Sequence, residues 1–366
     1  ECALIRLSIL AAPNFGDQTM KKILISSLVA AAIAAAGYSV AADDGALLDQ
    51  AKAIFKPLPA NAATAEYPIT PERVALGKAL FFETRVASDG TTSCGRCHLP
   101  QLYGTDALPK SFGAENFKVP RNAPTVINTA LQFVQHYGGN RKDVEEQAKR
   151  ALCGLAYGNK SCDDASARLK AIQGYGPLFA AAFPNDPDPI KADNWGIAIG
   201  AYERTLISAS PFDAYLKGDN KAIDDTAKRG LAKFIENGCA GCHSGMMIGG
   251  NMYQKFGIVE PYWDALGYAE DKADKGRFVD TKDANDTYMF KVQTLRNVGL
   301  TPPYFHDGSV KDLGEAVRVM ARVQLGKKLA DNDVSDIVAF LNTLTGPVPE
   351  NFRNVPDLPV GRFAAN

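Results

Sequence analysis

Cys94-Gly95-Arg96-Cys97-His98 and Cys239-Ala240-Gly241-Cys242-His243 are the two stretches that decide the reading of this 366-residue chain. In each, cysteines at i and i+3 lie on one helical turn, and the histidine that follows projects from the same side. That arrangement suits two thioether bonds to the vinyl groups of a haem, with the histidine reaching its iron. A chance match to Cys-x-x-Cys-His is expected about once in several hundred chains of this composition, so two matches point to two covalently bound c-type haems. A redox dithiol is the competing reading, but it has no use for the trailing histidine. Zinc is another, but it takes four ligands where each motif offers three.

Working outward, each motif follows an amphipathic segment. Residues 72–82 place Val74, Leu76, Ala79, Leu80 and Phe81 near one face after a Thr70-Pro71 start signal, and residues 225–237 precede the second motif. Comparable periodicity marks 141–152, 163–172, 193–207, 311–321 and 331–344, with Asp193 and Asp331 where caps are expected. No pair of alternating runs joined by a tight turn predicts a substantial sheet. The fold class is therefore mainly α, built from two similar modules of about 140 residues around the two motifs. Phe183–Pro189 reads as a loop, 208–220 as the boundary between modules, and proline-bearing 346–366 as an extended tail lying over a domain.

The N-terminus reads as an address. Met20-Lys21-Lys22, an apolar run from Ile23 to Ala36 and small residues through Ala42 have the order of a secretory signal peptide cleaved near Ala41 or Ala42. A membrane anchor is the alternative, but the run is short of the roughly 20 residues a span needs. Residues 1–19 precede Met20 and lack signal character, so Cys2 is set aside. Export predicts a periplasmic location and permits disulfides. A net charge of −1 and the absence of a basic tail argue against a nucleic-acid partner.

Only four histidines are present, so after His98 and His243 just His136 and His306 remain. Sixth iron ligands separate electron transfer from chemistry, because methionine raises a haem's potential and an open position admits a substrate. Past His243 the chain offers Met246, Met247, Met252, Met289 and Met320, whereas no methionine lies between His98 and Met246. One saturated and one open haem is the layout of a peroxidase or a related oxidant-generating enzyme. A plain two-haem carrier is expected to saturate both.

Asn122-Ala-Pro-Thr-Val-Ile-Asn128, Glu145-Glu-Gln-Ala148, Phe290-Lys-Val-Gln-Thr-Leu-Arg-Asn297, Thr301-Pro-Pro-Tyr-Phe-His-Asp-Gly-Ser309 and Ala316-Val-Arg-Val-Met320 closely resemble the bacterial di-haem cytochrome c peroxidase family, including its MauG-like enzymes. The resemblance covers about residues 46–350. It implies two class I cytochrome c-like domains, each with one covalent haem. The division then reads as an upstream segment plus signal peptide (1–42), an N-terminal peroxidatic haem domain (43–210), a C-terminal electron-transfer haem domain (211–346) and the tail (347–366). Met320 becomes the expected ligand opposite His243. Asn122, with Thr301 and Pro303 through their carbonyls, is expected to help hold a calcium ion, a hard cation that takes oxygen ligands. Gln147 matches the glutamine over the first haem, and His306 reads as structural.

Departures from the family pattern carry equal weight. Where other members place a histidine that ligates the resting first iron, this chain has Ala114; where they place tryptophan between the haems, it has Tyr137. The pocket glutamate expected about ten residues past the glutamine is absent from 150–161, which holds Tyr157 and is bracketed by Cys153 and Cys162, read as a disulfide. His136 is then the remaining imidazole for moving a proton, beside Gln147 as hydrogen-bond donor. The implied activity is reduction of hydrogen peroxide by a small periplasmic donor such as a monohaem cytochrome c or cupredoxin, with electrons entering at the Met320/His243 haem. A MauG-like oxidase acting on a partner protein and a non-catalytic electron-transfer cytochrome are the alternatives, and a homodimer is the family's common assembly.

Overall fold

The computed structural model describes residues 44–361; the expected signal peptide lies outside them. Helices dominate. The only strands among the described residues, Tyr253–Lys255 and Met289–Lys291, pair antiparallel with Tyr253 opposite Lys291.

Each motif is preceded by a capped helix. Pro71–Phe81 begins at Thr70, whose side chain accepts the Arg73 N–H, with proline in the first turn where no N–H is needed. Asp225–Glu236 begins at Asp224, which accepts the Ala227 N–H. Both then cross a later helix at backbone contact. A Cβ on Gly77 would collide with the Ala198 carbonyl in Ala192–Glu203, and a Cβ on Gly230 with the Asp336 carbonyl in Asp331–Asn342. The same device, glycine on the leading helix against a carbonyl of the closing one, thus builds each half. Leu76, Leu80, Phe81, Trp195, Ile199 and Tyr202 form the heart of one core; Leu231, Phe234, Ile337, Phe340, Leu341 and Phe212 form that of the other.

Packing does not follow sequence order at the ends. Asp44–Ile54 precedes the first motif, yet Leu47, Leu48, Ala51 and Phe55 are buried in the second core, with Phe55 edge-on to Phe212 at 5.5 Å. The 347–361 segment crosses the other way. It forms a short helix, Glu350–Arg353, whose Phe352 is fully buried against Phe81, and ends with the Pro359 and Gly361 carbonyls accepting from Arg85.

One local expectation is corrected. Asp193 and Asp331 do not cap: the N-cap positions are Lys191 and Ala330, so both acids fall in the first turn and pair with Lys149 and Arg318 instead. The stretch 208–220 contains a helix, Pro211–Leu216, integral to the second core. Two buried ion pairs tie the halves internally, Arg204 with Glu145 and Arg296 with Asp213. Both are close and multiply hydrogen-bonded, as buried charges must be.

Candidate haem-binding sites

Cys94–Cys97 form one helical turn and Cys239–Gly241 a 3-10 turn. In both the histidine N–H closes onto the first cysteine's carbonyl at 3.0 Å. His98 directs Nδ1 to the Gly104 carbonyl at 2.9 Å, and His243 directs Nδ1 to the Ile248 carbonyl at 3.2 Å. Donating Nδ1–H fixes the tautomer and leaves Nε2 as the free lone pair, the orientation that metal-binding imidazoles use. Burial favours the neutral ring in both, taking His243 down to about 4.

All four motif cysteines are free thiols. Burial pushes Cys94 up to about 12 and Cys239 to about 11. A redox dithiol needs the opposite shift. Unpaired cysteines on one turn beside an oriented imidazole therefore fit thioether attachment of a haem.

The second motif opens on a largely apolar cavity of about 290 Å³. Cys239, Cys242 and His243 share its wall with Met320, from helix Leu313–Leu325, whereas Met289 on the second strand is not part of that wall. The cavity continues to Tyr137, Asn122, Thr301, Pro303 and His306. Asn122, Thr301 and Pro303, distant in sequence, thus meet on one surface. The Asn122 amide donates to the Leu108 carbonyl, and its Oδ1 lies 3.3 Å from the Tyr137 hydroxyl. One side-chain oxygen plus two carbonyls suits calcium only with water completing the shell.

Tyr137 is buried, its hydroxyl within 3.3 Å of Asn122 Oδ1 and of the Phe305 carbonyl. Burial pushes its pKa up, and no carboxylate bonds the phenol, so it stays protonated. His306 is enclosed by Tyr262, Phe290, Phe256 and Tyr137, with the Phe290 ring 4.6 Å away. Its carbonyl takes the Asn122 N–H, so the segment braces the wall of the cavity.

The first motif has different surroundings. Loop 111–117 presses on the turn at 155–158: a Cβ on Gly113 would strike Ala156, and one on Gly158 would approach Ala114 Cβ at 3.3 Å. Tyr157 in that turn lies 3.1 Å from Cys94 Sγ. Ala114 is therefore buried against the turn whose Tyr157 reaches Cys94. The turn is closed by a Cys153–Cys162 disulfide, as expected from the sequence.

Gln147, on helix Val144–Leu152, is half-buried, and no hydrogen bond involves its amide among the described residues. His136 is held in a left-handed conformation with Nδ1 2.8 Å from Asn140 Oδ1. Burial, assisted by nearby cations and opposed by Asn140, takes it to about 4, so it is neutral. No hydrogen bond among the described residues joins His136 to Gln147 or His98.

Sequence reading passed over two charges. Glu203 is buried, makes no hydrogen bond through its carboxylate among the described residues, and is pushed up to about 8 by burial. Lys291 is buried on the cavity wall. In the sequence Glu203 is followed directly by Arg204, and Lys291 is a single charge between Phe290 and Val292; neither pattern marks burial.

A family model described as di-haem cytochrome c peroxidase matches residues 71–221. The cytochrome c551 peroxidase of Pseudomonas aeruginosa is 43% identical over 83% of this chain and 88% of its own length. The methylamine utilization protein MauG of Methylorubrum extorquens is 34% identical over 76% of this chain and 79% of its own. A crystal structure of a MauG-like protein associated with microbial copper homeostasis superposes with a TM-score of 0.70 at 26% identity, covering 82% of this chain and 97% of that one.

Proposed function

The chain belongs to the di-haem cytochrome c peroxidase family, and from that premise we propose that it reduces hydrogen peroxide to water in the periplasm with electrons from a small redox carrier. It is an oxidoreductase acting on peroxide. The observation that supports the division of labour is that Met320 shares a cavity with His243, whereas the chain has no methionine between His98 and Met246.

When bound, the haems supply two one-electron centres and the iron at which peroxide is reduced. Cys94 and Cys97 hold the first and Cys239 and Cys242 the second, each half serving as a class I cytochrome c-like domain. His98 and His243 present Nε2 to iron because Gly104 and Ile248 engage Nδ1. Met320 completes the second site, which receives electrons. Tyr137, on the wall of the second cavity, is the proposed relay toward the first site, and its bonds to neutral oxygens keep its proton in place. Asn122, Thr301 and Pro303 hold calcium where the second cavity meets Tyr137.

At the first site the uncommitted Gln147 amide orients peroxide. A group must also take a proton from one peroxide oxygen and return it to the other. His136 is the neutral imidazole proposed for that step; unchanged turnover in His136→Ala removes it. The whole reading is tested by the resting spin state and by peroxide consumption with a reduced carrier. One high-spin haem and rapid turnover are expected, while an inert, six-coordinate first haem overturns the reading. The MauG relative supports a second reading, oxidation of a partner protein, marked by turnover that needs the partner and not a carrier.

A further inference from the structure

Lys291 carries a charge that the protein's own residues leave unbalanced. It is 3% exposed. Its Nζ donates to Gln132 Oε1 at 2.6 Å and to the Val134 carbonyl at 3.2 Å, both neutral. The other deeply buried cations of the region differ: Arg204 has Glu145, and Arg296 has Asp213. Among the described residues no acid pairs with Lys291. An ammonium offers three protons, and only two are placed. Burial without a countercharge lowers its pKa to about 7, the response of a cation denied an anion.

Its location supplies the missing half. Lys291 stands on the wall of the apolar cavity that holds Cys239, Cys242, His243 and Met320. A haem brings carboxylates into that cavity, where a lone anion is as costly as a lone cation. We propose that Lys291 is the countercharge for a propionate of the second haem, fixing the cofactor's polar edge while Cys239 and Cys242 fix its vinyl edge. The assignment rests on the haem reading above. Gln132 and Val134 act as positioning groups that aim the ammonium, and the Lys291 N–H to the Tyr137 carbonyl at 2.8 Å ties its strand to the segment that carries Tyr137.

Removing the ammonium leaves the propionate's negative charge uncompensated beside the iron, which favours the ferric state. In holoprotein carrying Lys291→Met, the ferrous-to-ferric ratio of the second haem at fixed solution potential is expected to fall about tenfold, a drop of about 59 mV in midpoint. Lys291→Gln, which keeps a polar group in reach of Gln132, is expected to show the same fall if Met perturbs folding. Lys291→Arg is expected to stay within about twofold of wild type, and the first haem is expected to stay unchanged in all three. Haem stoichiometry and spectroelectrochemical titration of each haem read these outcomes. A second-haem midpoint unchanged in both neutral variants overturns the pairing while two haems per chain uphold the functional reading. Fewer than two haems in wild type overturns both.

Discussion

The two halves share a plan and differ in their walls. Both place a capped helix before the motif, a glycine against a carbonyl of the closing helix, an Nδ1–carbonyl bond on the motif histidine, and one buried arginine–carboxylate pair. The second motif nevertheless faces an apolar cavity containing a thioether. The first lies beside a disulfide-closed turn against which the loop carrying Ala114 packs. Attachment chemistry is therefore set by the shared frame, and reactivity by what the connecting loops bring to the far side.

The sharpest way to break the comparison is to empty one half. Cys94→Ser with Cys97→Ser is expected to leave one haem per chain and to lower peroxide turnover at least about 10³-fold, since the proposed peroxide site is lost. The second-haem spectrum is expected to persist. Covalent haem content and turnover check this, and near-normal turnover would move the chemistry to the second half.

The disulfide is the next difference, since only the first half has one. Cys153→Ser frees a loop with a sequence separation of 9. Loop-closure entropy then predicts a loss of about 2–3 kcal/mol, roughly a hundredfold in the folding equilibrium. Denaturant unfolding of the oxidised wild type and the variant measures it.

Ala114→His tests the open position. A histidine there is expected to convert the first haem to low spin and to cut turnover by the fully oxidised enzyme about tenfold, with recovery on partial reduction. Should the resting spectrum stay high-spin, Ala114 does not face the iron.

The repeat was legible because its signals are local. Cys-x-x-Cys-His, the Thr70-Pro71 start and the periodicity of 72–82 and 225–237 are each contained within a dozen residues. The extra helices and crossed ends were not. Pro211–Leu216 is short enough to be held by Asp213 and Phe212 contacts remote in sequence, and Asp44–Ile54 reveals its side only through Phe55 meeting Phe212. Likewise Met320 and His243 could be paired by resemblance, but their shared cavity depends on tertiary packing. Glu203 and Lys291 escaped because burial, the property that makes them unusual, has no local signature.

The last contrast sets two buried acids against each other through pH. For Glu203, burial pushes the carboxyl up to about 8, with Glu145 adding to the shift and Arg204 opposing it. Between the ordinary glutamate range and 8 the unfolded chain releases a proton that the folded one keeps, so stability falls as pH rises. For Asp213, burial also pushes upward, but the Arg296 charge and the N–H groups of Ser210 and Leu58 outweigh it and hold the carboxyl below its ordinary value. Its contribution is present above the ordinary aspartate range and is lost as pH falls through the folded pKa. Glu203→Gln is therefore expected to remove a loss of stability between pH 5 and 8, at most about tenfold in the folding equilibrium per pH unit, and to leave acid unfolding intact. Denaturant midpoints of both proteins at pH 5 and pH 8 measure the slope. Parallel midpoints would mean that the Glu203 carboxyl is already ionised at pH 5, and with it the contrast between the halves would rest on their walls alone.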